Sequence, residues 1–100
     1  MSEAVHILAL ATIDKGKAAD LEKVVQECAK HSLQEKACKR YEIARDAENE
    51  GRFTVSEIWA SQEGFEAHLA TEHFGVLAAF AKEHGAELEV IRQVPLHPAA

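Results

Sequence analysis

One hundred residues, 47% of them hydrophobic and 28% charged, suffice for one domain with its own core and exclude a large multidomain enzyme. Eleven Lys plus Arg against seventeen Asp plus Glu leave a formal charge of −6, so no surface for nucleic acid or anionic lipid is expected. Cys28 and Cys38 form no CxxC pair or disulfide framework, Met1-Ser2-Glu3-Ala4 is no secretory leader, and no apolar run reaches membrane-spanning length; a cytoplasmic protein is the expectation.

Neither an internal repeat nor a flexible linker divides the chain, which reads as a single domain over 1–100, its core at about 4–95. A short tail carrying Pro95 and Pro98 leaves the fold. From Val5 to Ile13 both parities are mostly apolar, as in a central strand covered on two sides. After the turn Asp14-Lys15-Gly16-Lys17, the positions Leu21, Val24, Val25, Cys28, Ala29 and Leu33 recur at the period of an amphipathic helix. Cys28 falls inside that stripe and reads first as a small packed hydrophobe.

Lys39 to Arg45 reads as a second strand with Tyr41 and Ile43 on one face, and Asp46 to Arg52 as a polar hairpin connection. A third strand follows, with Phe53, Val55, Glu57 and Trp59 sharing a face. Ser61 is a candidate cap for a short helix carrying Phe65, His68 and Leu69, and Thr71 for a second carrying Phe74, Leu77 and Ala81, ended by Gly85. Leu88 to Val94 alternate as a last strand. The order β-α-β-β-α-β predicts an α+β, ferredoxin-like fold, a four-stranded antiparallel sheet with its helices on one face. Apolar groups on both parities of the first and third strands then predict that the other face meets a second copy, a homodimer.

HExxH, GxSxG and a Gly-rich phosphate loop are all lacking. Glu57 is anomalous by parity, since a carboxylate among Phe53, Val55 and Trp59 must be paired, hydrated in a cavity or protonated; Arg40, Arg92 or a backbone N–H are candidate partners. Trp59 reads either as core or as the wall of an aromatic pocket. His68 and His73 flank Ala70-Thr71, and on one straight helix they would diverge by roughly 140°; they converge only if the chain bends there. These two histidines taken with Glu57 lack the i, i+3 or i, i+4 spacing of metal ligands on one helix face, and no metal site is expected. The other histidines read as surface or edge residues, except that His6 has the parity to reach the same cavity.

Cys38-Lys39-Arg40-Tyr41, Phe53 to Trp59 and His68 to Phe74 together resemble, in order and spacing, the antibiotic biosynthesis monooxygenase domain family. The likeness spans nearly the whole chain, with Lys36-Ala37 replacing the usual Pro-Gly before the cysteine. It implies a dimeric α+β barrel of ferredoxin-like subunits. Some members oxidise quinols, anthrones or similar polyphenols with O2 and no cofactor, others degrade haem or process a small signalling molecule, and fold does not decide among these. The positions matching the haem-binding His and Asn hold Ala78 and Ala9 here, so haem cleavage is not expected. Cofactor-free oxidation of a small aromatic substrate is the leading expectation, and a non-catalytic aromatic-binding module or an isomerase are the alternatives. On that reading Trp59, Tyr41 and Phe74 wall the pocket, His68 or His73 is the base, and Glu57 orients a histidine or the substrate.

Overall fold

The computed structural model describes residues 3–97. Strand β1 (Val5–Thr12) leads through a short 3₁₀ turn at Lys15–Lys17 into helix α1 (Ala18–Ser32). Strands β2 (Cys38–Arg45) and β3 (Arg52–Trp59), helices α2 (Gln62–Leu69) and α3 (Glu72–His84), and strand β4 (Glu87–Gln93) follow. The four strands form one antiparallel sheet in the order β2-β3-β1-β4. The ferredoxin-like α+β arrangement is therefore present, with β1 and β3 at the centre as their apolar patterns require.

Strand pairing sorts side chains between the two faces. Val5 pairs with Trp59, Ile7 with Glu57 and Ala11 with Phe53; the apolar residues among these form one core with Leu21, Val25, Cys28 and Ala29 of α1 and Leu77 of α3, and Glu57 is buried beside them. On the opposite face His6 pairs with Ile58 and Leu8 with Ile91; no helix covers them. A register shift between Cys38 and Arg40 lets Lys39 bulge from β2, which brings Tyr41 opposite Glu57 on the helix-covered face.

Two local interactions place α2 and α3. The Ser61 side chain accepts from the Gly64 N–H and caps α2, and Thr71 accepts from Phe74 N–H to cap α3. Gly64 passes so close to the chain before β2 that an added Cβ would lie 2.4 Å from Ala37 Cβ. Gly85 ends α3 in the left-handed region (φ 73°). Leu33 departs from the predicted stripe: α1 stops at Ser32 and Leu33 is 59% exposed. Apolar positions of β4, including Val90 and Ile91, are also exposed in the single chain.

Candidate functional site

The chain does bend between α2 and α3. The Ala70 and Thr71 N–H groups donate to Ala67 and His68 carbonyls, and the Thr71 hydroxyl donates to His68 O at 2.7 Å. The break brings His68, in the last turn of α2, and His73, in the first turn of α3, to a ring-centroid separation of 5.9 Å. One carboxylate oxygen joins them: Glu35 Oε2 lies 2.7 Å from His68 Nδ1 and 2.7 Å from His73 Nε2. Short bonds of this kind to a carboxylate oxygen are the strong class of hydrogen bond.

The two histidines sit in different surroundings. The His68 side chain is only 2% exposed, with Trp59 at 4.4 Å, Phe74 at 5.3 Å and Tyr41 at 5.6 Å between ring centroids. Burial holds its pKa below the ordinary imidazole value although the Glu35 bond pulls the other way. His73 is partly exposed and lines a cleft of about 590 Å³ between α1 and α3, with His31, Cys28, Glu27, Val24 and Val76. His31 stacks on His73 at 5.6 Å and bonds to Glu27 at 3.0 Å. Imidazoles oriented by carboxylates beside a cavity are able to take up and return protons.

Trp59, Tyr41 and Phe74 are brought together around His68, but they pack beneath the cleft and do not line it. Glu57 is buried and accepts from Trp59 Nε1 at 2.9 Å. Arg40 pairs with Glu42 and Arg92 with Gln62, and the carboxylate that meets the histidines is Glu35. Burial, opposed by the Trp59 bond and reinforced by the Glu35 charge, raises the Glu57 pKa to about 7. His6 does not line the α1–α3 cleft: it lines a smaller cavity of about 260 Å³ with Arg40, Ser56, Glu57 and Ile58, its parity placing it on the uncovered face. Cys28 packs as expected, its thiol 3.6 Å from the Tyr41 hydroxyl, and burial raises the pKa of both groups.

Glu35 and His31 are the residues that periodicity did not single out. Glu35 lies in the loop after α1, 33 residues from His68 and 38 from His73. The one local signal is the four-residue spacing Glu27, His31, Glu35, a stripe that runs off the end of α1.

The sheet order, the helix-covered face and the paired histidines define a ferredoxin-like α+β protein with a candidate proton-transfer site. Residues 4–82 match the family model described as antibiotic biosynthesis monooxygenase, and the chain belongs to that family. No curated protein matches. Among solved structures, an antibiotic biosynthesis monooxygenase is 23% identical over 91% of this chain and 99% of its own, with a TM-score of 0.78. A Mycobacterium tuberculosis protein is 18% identical over 98% and 100%, TM-score 0.86. A Bacteroides thetaiotaomicron protein of unknown function, named a possible oxidoreductase, is 19% identical over 93% and 100%, TM-score 0.81. At these identities the likeness carries the fold. Among the described residues no helix is long and apolar enough to cross a membrane.

Proposed function

We propose that the chain is a cofactor-independent monooxygenase that oxidises a quinol-like or polyphenolic small molecule with O2. The observation that carries this reading is His73, held by Glu35 at 2.7 Å on the wall of a cleft of about 590 Å³, a volume within the usual range for small-molecule sites. With Nε2–H donated to Glu35, Nδ1 is left as the basic nitrogen. For an activated ring CH2 of the anthrone kind, His73 takes one proton and the carbanion passes one electron to O2. The radical pair joins in a C–O bond, and His73 returns the proton to give a hydroperoxide. Loss of the second C–H proton then breaks the O–O bond, and water leaves behind a C=O group. The substrate supplies all the electrons, so CH2 plus O2 gives C=O plus H2O.

In this scheme His73 touches substrate, Glu35 orients it, and His68 acts through Glu35 from the aromatic packing of Trp59, Tyr41 and Phe74. Glu57 holds the Trp59 indole. Lys23 lines the cleft together with Glu27 and Glu72, a balance that weighs against a phosphorylated substrate. The uncovered face bearing Leu8 and Ile91, with Val94 79% exposed beyond it, supports a second copy as partner; a single 11 kDa species in dilute solution would remove that element. Free Cys28 and Cys38 accord with a cytoplasmic setting.

Oxygen uptake with a panel of reduced quinones and anthrones tests the activity. Wild type consumes O2 with at least one of them, and His73→Ala lowers kcat about 100-fold or more. Unchanged uptake in both His73→Ala and His68→Ala overturns the base assignment. Tight aromatic binding without uptake favours a binding module.

A further inference from the structure

We propose that Glu35, His68 and His73 also form a binding site for a divalent first-row transition metal ion. Their donor atoms, Glu35 Oε2, His68 Nδ1 and His73 Nε2, all lie within 4.8 Å of one another. The ligands come from three places in the fold, the loop after α1, the end of α2 and the start of α3, which is why no sequence spacing announces the group. Metal–nitrogen bonds of about 2.0–2.1 Å in tetrahedral geometry place donor atoms about 3.3 Å apart. The two Glu35 contacts, at 2.7 Å, are already near that value. To take an ion, the gap between the two nitrogens has to close, by about 1.5 Å at most, and each Glu35 contact has to lengthen by about 0.6 Å.

The surroundings favour coordination. His68 is fixed by Trp59, Tyr41 and Phe74, so one ligand is preorganised, while His73 opens on the α1–α3 cleft and leaves room for a water or other ligand in the fourth position. Two imidazole nitrogens and one carboxylate suit Zn2+, Co2+ or Fe2+ better than Mg2+ or Ca2+, which prefer all-oxygen shells. On binding, the proton of each coordinating nitrogen passes to the other nitrogen of the same ring, so the histidines remain neutral ligands. An ion there occupies Glu35, the group that orients His73, and so excludes the proton chemistry proposed above.

The test is Co2+ binding to the full chain without substrate, read by visible absorption and equilibrium dialysis, with Zn2+ as competitor. Expected are one Co2+ per chain, the intense visible bands of a four- or five-coordinate site, and displacement by Zn2+. His73→Gln, His68→Gln and Glu35→Gln each weaken binding at least tenfold, while His84→Gln, on the far end of α3, leaves it unchanged. Because His68→Gln disturbs buried packing, the partly exposed His73→Gln decides the matter if His68→Gln does not fold. Absence of saturable uptake below millimolar Co2+, affinity unchanged in His73→Gln, or ultraviolet thiolate charge-transfer bands pointing to Cys28 or Cys38 would overturn the proposal. Metal binding and substrate-dependent oxygen uptake in chelator are read separately, so either reading fails without the other.

Discussion

Replacing Glu57 with Gln is expected to stabilise the protein above pH 7 and to change it little near pH 4.5. Gln retains a carbonyl oxygen for the Trp59 N–H, at 2.9 Å in the wild type, and nearly the same volume, but carries no charge. Glu57 is 5% exposed and its pKa rises from 4.5 to about 7. The folded value lies above the unfolded one, so between those limits the native state holds more protons than the unfolded state. Stability contributed by this group is therefore fully present below about pH 4.5, falls as pH rises through the window, and changes no further above about pH 7. At about 1.4 kcal/mol per decade of proton affinity, the whole window corresponds to about 3 kcal/mol. Urea unfolding of both proteins at pH 5 and pH 8, at one fixed protomer concentration, measures it. Trp59 is the single tryptophan and is fully buried, so its emission reports the relevant region. Other titrating groups cancel in the difference between the two proteins. A gap in unfolding free energy that stays constant between the two pH values would refute the reasoning.

The other predictions concern the framework of the site. Thr71→Val removes the hydroxyl that accepts from Phe74 N–H and donates to His68 O; a loss of about 1 kcal/mol in urea unfolding is expected, restored by Thr71→Ser. The same Val variant should shift the NMR ring signals of His68 and His73, whose convergence depends on that bend. Gly64→Val puts a side chain against Ala37 at a point where even a Cβ lies 2.4 Å from its neighbour, and is expected to cost about 1–3 kcal/mol, measured by thermal melting. Glu35→Ala leaves the buried His68 Nδ1 without its carboxylate partner and is expected to cost about 1–3 kcal/mol, again by urea unfolding.

Much of this molecule was legible from local pattern. The two-sided apolar run Val5 to Ile13, the Ser61 and Thr71 caps and the glycine at position 85 each state their structure through short-range chemistry, and β1, α2 and α3 form where those signals fall. The anomaly at Glu57 also proved real: a carboxylate of core parity is buried and hydrogen-bonded. Its partner was less legible, because Arg40 and Arg92 found nearer or better exposed partners in Glu42 and Gln62. The register shift at Lys39 is likewise invisible until β2 pairs with β3, yet it decides where Tyr41 points.

The sequence by itself determined the element order, the fold class and the pair of histidines that flank a helix break, since each depends on periodicity or on a cap within a few residues. Only the tertiary structure decided that Glu35 is the carboxylate they share, that His31 stacks on His73, and that His6 belongs to the opposite face of the sheet. It also decided that Trp59, Tyr41 and Phe74 support the cleft from below. Those relations link residues as much as 38 positions apart, and the packing of α1 against α3 and of α2 against the loop before β2 sets them.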